Sequence, residues 1–599
     1  MYAFVALLWS PDDRKAAATA TGWAQRLTVG AGPWENLLTT ERAMVFAPPP
    51  AAPALRRYML PQGSGIVLGQ LFPADLSKES LESIDHIDER AAREILKTGG
   101  RHLIRTYWGA YVAVLADRHA DCAYVIRDCS GKFPCYYRRV RDVTIVFSDP
   151  NDLAPLELPR PTVDWSYLAA FVYSSQLQVR RCAVHEDKEL LAGERLRVQD
   201  RSDCQTVLWD PREICRDRWL DQYENAVATL QGVTRKCIDS WARTYDTILL
   251  GLSGGFDSAA VLGVLSHSPA RPRIQCINQY STDSYGDERK YARAGAIRAG
   301  VQLAEVPIDS AADRFDSRLF LAPKTSKPSV NALFRLLEIE LINRIAEETG
   351  AQTLWTGQGG DHIFLQTSGV SSASDYLTTR GLRPGFIAAV RDAAHLSRQP
   401  YWSVLQSACS RLPDISNTLA SKPCFVNVAA LPDNVEEYVL PPWATDADDL
   451  PRGKRMQIRF LAEVVNRHRP IARLERAPQH HPLLSQPLME VCLQIPTYLL
   501  LRGGRERALA REAFADHVPP EILRRHDKGS TIAHATEMLR RSEPFLRELL
   551  LGGALVENKV IDRRELEPFI LQGQPYREEH LLPLLACIAA EVYVRKYAH

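Results

Sequence analysis

The sequence of 599 residues lacks the features that mark several large classes of protein. Lysine and arginine together number 73 and aspartate and glutamate 72, so the chain has no basic excess of the kind that nucleic-acid-binding proteins carry. No run reaches the roughly 18 consecutive apolar residues that a membrane-spanning helix needs. The 12 cysteines form no C-x-x-C pair, which argues against a zinc ribbon or a disulfide framework and favours reduced thiols. We therefore expect a multidomain cytoplasmic enzyme that contacts neither nucleic acid nor membrane.

The first part of the chain, residues 1–210, has the pattern of antiparallel sheets. Its apolar start, MYAFVALLW, follows no basic region and ends at Pro11, so we expect a buried strand and no signal peptide. Short apolar runs bounded by turn-forming residues then recur at 65–72, 109–117, 122–128 and 143–149. Segment 209–217, with its proline and charges, is the candidate linker to the next domain.

The second part, residues 211–599, has a different pattern of apolar residues. Apolar strands alternate with amphipathic helices, and the predicted strands are 247–252, 274–278, 301–308 and 351–357. This alternation predicts right-handed βαβ crossovers and a parallel sheet. From about residue 375 the chain is mainly helical, which predicts a helical cap. The fold class is therefore α/β and α+β.

The most informative segment is Leu250–Ala259, LGLSGGFDSA, in which a strand runs into a glycine-rich turn and then a helix. Gly254 and Gly255 allow the backbone to approach a polyanion, and amide groups at the start of a helix point towards it. Asp257 suits a hard cation. The segment has neither the lysine of a G-x-x-x-x-G-K-[ST] loop nor the G-x-G-x-x-G pattern of dinucleotide-binding folds. It predicts a different phosphate-binding loop, at the carboxyl edge of the sheet.

These motifs resemble those of a known family. SGGFDS is similar to the pyrophosphate loop of N-type ATP pyrophosphatases, and LWTGQGGDHIF (354–364) resembles the SGEGADELF-type segment of asparagine synthetases. The resemblance implies a PP-loop domain that uses ATP with Mg²⁺, the metal being held by Asp257 and Asp361. The residues that it implies for ATP binding are Leu252, Ser253, Gly254, Gly255, Asp257, Ser258, Gly357 and Gln358.

Two further residues are candidates for catalysis. The segments HPLLSQPLMEVCLQIP (481–496), GGRERALAREAF (503–514) and VPPEILRRHDKGS (518–530) resemble the helical end of asparagine synthetases. By that resemblance Lys528 would lie beside the triphosphate and stabilise the charge that develops there. Glu288 resembles an acidic position of the family and is a candidate base, although a helix-start role would explain it equally well.

The first part of the chain resembles the glutaminase domain of asparagine synthetases in YWGAYVAVLADR (107–118), VIRDCSGKFPCYY (125–137) and FSDPNDL (147–153). The resemblance implies an antiparallel β sandwich with helices. Those glutaminases use an N-terminal cysteine as nucleophile. This chain begins Met1-Tyr2-Ala3, and its first cysteine is Cys122. We therefore expect no glutamine hydrolysis and interpret residues 1–210 as a retained scaffold or docking surface.

Without ammonia from glutamine, the nucleophile is most simply an amine of the substrate, as in β-lactam synthetases and lasso peptide cyclases. Gln358 occupies the slot of a glutamate in asparagine synthetases, and the segments around it look most like the lasso cyclases. The resemblance implies a macrolactam synthetase acting on a core peptide, with a leader peptidase and a leader-binding protein as possible partners. An ammonia-dependent asparagine synthetase, another small-molecule amide or β-lactam former, and a non-catalytic nucleotide scaffold are the alternatives.

Overall fold

The computed structural model describes most of the chain. Its described ranges are 3–29, 34–49, 56–75, 82–116, 122–175, 177, 179–199, 202–217, 219–280, 287–308, 314–367, 369–410, 424–445, 447–465, 474–526, 532–571 and 578–598. Within them, no helix is both long and apolar enough to cross a membrane.

The N-terminal region contains two antiparallel sheets. Among the described residues, one sheet has the order β10-β8-β9-β1-β3-β2 and the other β12-β11-β7-β6-β5-β4. The strands are β1 (Val5–Leu8), β2 (Glu35–Thr39), β3 (Ala43–Ala47), β4 (Arg56–Met59), β5 (Gly65–Pro73), β6 (Tyr107–Leu115), β7 (Ala123–Arg127), β8 (Tyr136–Val140), β9 (Val143–Phe147), β10 (Lys188–Glu189), β11 (Glu194–Gln199) and β12 (Ser202–Val207).

The two sheets pack face to face, and the alternation of side chains along β1 shows how. Ala6 and Leu8 point into the large core that the two sheets share. Val5 and Leu7 point to the other face of the first sheet, where Trp23 of the first helix covers them. A strand with both faces buried is apolar throughout, which is why MYAFVALLW reads as a buried strand. The predicted antiparallel sandwich is confirmed.

The C-terminal region is built on a parallel sheet of order β15-β14-β13-β16-β17 in the described part of the chain. Its strands are β13 (Thr247–Gly251), β14 (Arg273–Tyr280), β15 (Gln302–Pro307), β16 (Thr353–Trp355) and β17 (Gln479–His480). Every neighbouring pair is parallel, which confirms the predicted α/β architecture. Sequence patterning missed β17, because two residues carry no periodicity.

The helices surround these sheets. Those of the N-terminal region are α1 (Arg14–Val29), α2 (Glu89–Lys97), α3 (Arg101–Thr106) and α4 (Trp165–Tyr173). Those around the parallel sheet are α5 (Pro211–Asp217), α6 (Tyr223–Ala242), α7 (Phe256–Ser266), α8 (Arg289–Ala299), α9 (Val330–Thr349) and α10 (Gly360–Ile363). The helical cap follows, with α11 (Val370–Arg380), α12 (Gly385–Ser397), α13 (Tyr401–Cys409), α14 (Pro442–Thr445), α15 (Arg452–Val465), α16 (Gln486–Gln494), α17 (Thr497–Leu500), α18 (Ala508–Ala513), α19 (Pro520–Leu523), α20 (Ile532–Arg541), α21 (Glu543–Leu546), α22 (Ala554–Glu557), α23 (Arg563–Leu571) and α24 (Glu578–Ala598).

The connection between the two regions is helical where we expected a linker. Most of segment 209–217 forms α5, which starts at Pro211, a residue well suited to the first turn of a helix. The buried Cys215 on α5 donates from its Sγ to the carbonyl of Leu493, 3.7 Å away on α16. The predicted boundary between residues 210 and 211 lies at the start of this helix.

Buried ion pairs join the two regions. Lys327, which is 0% exposed, donates from its Nζ to Glu189 Oε2 at 2.5 Å. Arg127 donates to the other oxygen of the same carboxylate at 2.9 Å. Glu189 and Arg127 belong to the N-terminal sheets, whereas Lys327 precedes α9. The two regions therefore share a desolvated charge cluster, which fixes their relative position.

Candidate active site

The predicted phosphate-binding loop lies between β13 and α7, at the carboxyl edge of the parallel sheet. α7 begins at Phe256, so the backbone amides of its first turn open towards the loop. Ser258 Oγ lies 3.1 Å from Ser253 Oγ and also accepts from the Ser253 amide at 3.3 Å. The contact between the two hydroxyl groups joins the start of the loop to the first turn of α7. Both hydroxyl groups lie beside the backbone amides that would bind a phosphate.

Two glycines allow this loop to contact its neighbours closely. Gly254 has φ +80, in the left-handed region that favours glycine, and a β-carbon there would lie 2.9 Å from the backbone oxygen of Glu288. A β-carbon at Gly357 would overlap the backbone nitrogen of Ser258. The loop after β16 therefore touches the start of α7, and the two segments that the sequence analysis singled out are neighbours.

The two predicted metal ligands meet at one arginine. Arg507 Nη1 donates to Asp257 Oδ2 at 2.7 Å, and the same nitrogen contacts Asp361 Oδ1. Arg507 is 6% exposed and has φ +55, an uncommon backbone conformation for a residue with a side chain. Asp257 lies in the first turn of α7, after β13, and Asp361 lies in α10, after the adjacent strand β16, so the structure places their carboxylates side by side.

This arrangement fits a divalent cation. Both carboxylates contact a single nitrogen, so they are close enough to share one positive ion. Carboxylate oxygens are the ligands that Mg²⁺ prefers, and it usually needs only a few of them beside substrate phosphates and water. Asp257 and Asp361 are therefore the residues that would hold magnesium, and Arg507 is the cation that neutralises them in this structure.

Two further arginines, Arg505 and Arg511, lie near Arg507. Burial, followed by the charges of Arg505 and Arg507, lowers the pKa of Arg511 to about 10. Burial and Arg507 also lower the pKa of Arg505. Like charges held this close favour a bound polyanion, which would relieve their repulsion. These arginines lie in the segment GGRERALAREAF and were not predicted as site residues, although their spacing of two and four residues is visible there.

The candidate base Glu288 lies directly before α8 and forms an ion pair. Arg525 Nη2 donates to Glu288 Oε1 at 2.6 Å, and Arg525 Nη1 donates to the Gly254 carbonyl at 3.4 Å. The Arg525 guanidinium also stacks over the ring of Tyr291, 4.1 Å from its centroid. Glu288 thus holds Arg525 against the phosphate-binding loop, and its role as a base stays a prediction. The other catalytic candidate, Lys528, lies outside the described residues.

A pocket of about 450 Å³ joins these groups. The predicted ATP and metal residues that line it are Leu252, Ser253, Gly255, Asp257, Ser258, Gly357, Gln358 and Asp361. Gly254 is not among them and lies instead close to Glu288 and Tyr291. The far wall is formed by apolar residues such as Ile277, Ile342 and Leu354, with Arg335 and Gln479 beside them. The pocket therefore has a charged end and an apolar end and is large enough for a nucleotide.

Two family models match parts of the chain. The family model described as asparagine synthase matches residues 231–594. The model described as glutamine amidotransferase domain matches residues 80–209. A search of curated proteins gives no match.

Solved structures show only weak similarity. The U34-tRNA thiolase NcsA from Methanococcus maripaludis is 17% identical, and the match covers 28% of this chain and 54% of the thiolase, with a TM-score of 0.17. This chain therefore spans about half the length of that protein. The allosteric regulatory enzyme of purine biosynthesis is 11% identical, with 59% and 89% of the two chains covered and a TM-score of 0.21. The NH3-dependent NAD synthetase from Campylobacter jejuni is 11% identical, with 32% and 98% covered and a TM-score of 0.19.

The family assignment depends on the family models, since the asparagine synthase match spans more than half of the chain and contains every described pocket residue discussed above. The chain belongs to the asparagine synthase family, whose members are ATP-dependent ligases that form amide bonds through an adenylated carboxylate.

Proposed function

We propose that this protein is an ATP-dependent macrolactam synthetase that closes a ring in a ribosomally made peptide, as lasso peptide cyclases do. A side-chain carboxylate of the peptide attacks the α-phosphorus of ATP, and pyrophosphate leaves. The N-terminal amine of the same peptide then attacks the acyl carbon of the adenylate. AMP leaves, and an isopeptide bond closes the ring.

The observation that carries this proposal is the position of Gln358. Gln358 lines the pocket directly after Gly357, at the position where the corresponding segment of asparagine synthetases has a glutamate. A carboxamide cannot accept a proton at neutral pH, so this position cannot act as a base towards ammonia. The departure therefore favours a nucleophile other than that of an asparagine synthetase.

Two buried thiols in the connection between β7 and β8 are consistent with this proposal. Burial raises the pKa of Cys135 to about 12 and raises the pKa of Cys129 well above its ordinary value. The thiolate is the nucleophilic form of a thiol, so burial disfavours both cysteines as nucleophiles for glutamine hydrolysis.

An exposed apolar groove on the helical cap suits a peptide substrate. Phe386 and Val390 on α12 face Tyr401, Trp402 and Leu405 on α13 around a space of about 570 Å³. Large apolar patches of this kind mark binding surfaces. α12 is also joined to the loop before α18, because Asp392 accepts a hydrogen bond of 2.8 Å from the Gly503 amide. That loop leads to Arg507, which connects the groove to the charged end of the pocket.

The site residues have distinct roles in this proposal. Asp257 and Asp361 would hold Mg²⁺, which supplies charge neutralisation for the triphosphate. Arg511 and Arg525 line the pocket and would hold the departing pyrophosphate, and Lys528 is the further cation that the family resemblance implies there. Glu288 is proposed to act on the amine, either directly or by holding Arg525.

Ring closure explains why a dedicated enzyme is needed. Bringing the ends of a flexible segment of about eight residues together costs roughly 2 kcal/mol from the loop-length dependence alone. While the two ends of the peptide come together, water competes with the amine for the acyl carbon of the adenylate. A site that orders the peptide before the amine attacks reduces both problems. A leader peptidase and a leader-binding protein are the proposed partners that deliver the peptide, and the proposed location is the cytoplasm.

The proposal is tested by incubating the protein with MgATP and a candidate core peptide, with its leader peptidase present. The expected products are AMP and a peptide that has lost one water, seen by mass spectrometry. Asp257→Asn should give neither product, because it weakens the magnesium site without changing the size of the side chain. Asp449→Asn is the matched control, since it alters a surface carboxylate that is 58% exposed and pairs with Arg216.

Two results would contradict the proposal. AMP formation with aspartate and ammonia, but with no peptide, would identify an asparagine synthetase. No AMP with peptide or small carboxylates, although nucleotide binds, would indicate a non-catalytic scaffold.

A further inference from the structure

A chain of hydrogen bonds connects the N-terminal sheets to the loop that forms one wall of the ATP pocket. Its members are Lys132, which follows β7, His480 and His481 at the end of β17, and Thr356 at the end of β16. Only the last of these lines the pocket. The other three stand behind it and belong to no part of the chemistry described above.

The hydroxyl group of Thr356 has two partners. It accepts from the backbone amide of Gln358 at 3.2 Å and lies 2.7 Å from Nδ1 of His481. Because the contact with the Gln358 amide uses an oxygen lone pair, the hydroxyl proton stays available for Nδ1 of His481. In the tautomer whose Nδ1 carries no proton, Thr356 donates and the ring nitrogen accepts.

This direction requires a neutral imidazole at position 481. Burial, followed by the positive charges of Lys132 and Arg335, lowers the pKa of His481 to about 3. The ring is uncharged at neutral pH and can accept at Nδ1. The geometry and the electrostatics of this pair agree, and together they hold the turn through Gly357 and Gln358 in one conformation.

The second histidine extends the connection across the two regions. Lys132 Nζ lies 2.9 Å from His480 Nδ1 and donates to it. The His480 ring is 4% exposed and packs against Trp241, with 4.3 Å between ring centroids, and against Trp355. Its backbone carbonyl accepts from the Thr356 amide at 3.1 Å. Lys132 therefore contacts β17 at His480, and the backbone of the same residue binds Thr356.

We infer that Thr356 and His481 are positioning residues for the ATP pocket, and that Lys132 makes the glutaminase-like domain a support for that pocket. The domain, on this inference, contributes to the synthetase reaction through contact instead of through ammonia. The inference rests on the proposed use of ATP but is independent of which substrate is cyclised.

The test measures the dissociation constant of a non-hydrolysable ATP analogue with Mg²⁺ by calorimetry, for the full-length protein. Thr356→Val should weaken binding about tenfold, the factor that corresponds to the loss of one or two ordinary hydrogen bonds. Thr356→Ser keeps the hydroxyl and should restore binding to within about twofold of wild type. His481→Phe removes the acceptor and should resemble Thr356→Val.

Lys132→Met measures the contribution of the N-terminal domain and should weaken binding of the ATP analogue about threefold. The control is Lys97→Met, on the exposed face of α2. Equal affinities for wild type, Thr356→Val and Lys132→Met would overturn the inference. Equal weakening by Thr356→Val and Thr356→Ser would also overturn it, because the hydroxyl group that serine keeps would then make no difference to binding. If the wild-type protein binds no nucleotide, the proposed function itself fails.

Discussion

The buried ion pairs between the two regions lead to a quantitative prediction about stability. Glu189 is 0% exposed, and its carboxylate contacts Lys327 at 2.5 Å and Arg127 at 2.9 Å. Lys327 and Arg127 are themselves 0% and 2% exposed. The change Glu189→Gln keeps the shape of the side chain but leaves two desolvated cations without the carboxylate charge.

The magnitude follows from burial. Removing one partner of a buried pair costs about 3–5 kcal/mol, because the remaining charge has lost its water. The same change at an exposed pair costs at most about 1 kcal/mol. Asp449→Asn is that comparison, since Asp449 and Arg216 are 58% and 44% exposed. We expect Glu189→Gln to lower the free energy of unfolding by about 3 kcal/mol or more relative to Asp449→Asn.

The measurement is urea denaturation followed by tryptophan fluorescence, with both variants and wild type at the same pH and salt. The reasoning also predicts that Glu189→Gln combined with Lys327→Met is less destabilised than Glu189→Gln alone, because one stranded cation has been removed. A loss below about 1 kcal/mol for Glu189→Gln would refute the argument from burial. So would a double variant that is less stable than Glu189→Gln alone.

Three other predictions concern the pocket, the groove and the cap. Gly357→Ala should abolish binding of an ATP analogue, because its β-carbon would overlap the Ser258 nitrogen, whereas Gly552→Ala, with open space around it, should bind normally. Trp402→Ala should raise the KM for peptide severalfold and leave the KM for ATP unchanged, since Trp402 is 73% exposed in the groove; equal changes in both would contradict its role. Burial raises the pKa of Asp375 to about 6, so the folded protein binds this proton more tightly than the unfolded chain. The free energy of unfolding should therefore lose this contribution as pH rises from about 4 to 6, and Asp375→Asn should flatten that slope; an unchanged slope would contradict it.

In the candidate site, the family resemblance implied that Asp257 and Asp361 hold a metal together. Their places after two strands of a parallel sheet made that pairing plausible, because the carboxyl ends of such strands meet at one edge. The structure places both against Arg507. The arginine itself was missed, because it comes from a loop about 150 residues later and has no strand or helix periodicity that would aim it at the site.

Local pattern also misjudged some short elements. β17 has two residues, too few to show a period of two, yet it completes the sheet and carries His480 and His481 behind the pocket. Segment 209–217 carries proline and charge, which suggested a linker, and the structure shows that most of it is the helix α5, which contacts α16 through Cys215. Packing partners that are distant in the chain decided both cases.

By itself the sequence determined the two fold classes, the strand–loop–helix arrangement of the phosphate-binding loop and the chemistry of its residues. These depend on spacing between near neighbours, and hydrophobic periodicity and glycine placement record such spacing directly. Only the tertiary structure decided that Glu288 pairs with Arg525, that Arg507 joins Asp257 to Asp361 and that Lys132 reaches His480 across the two regions. Those contacts join residues up to 348 positions apart, and no local pattern encodes which distant side chains will share one desolvated site.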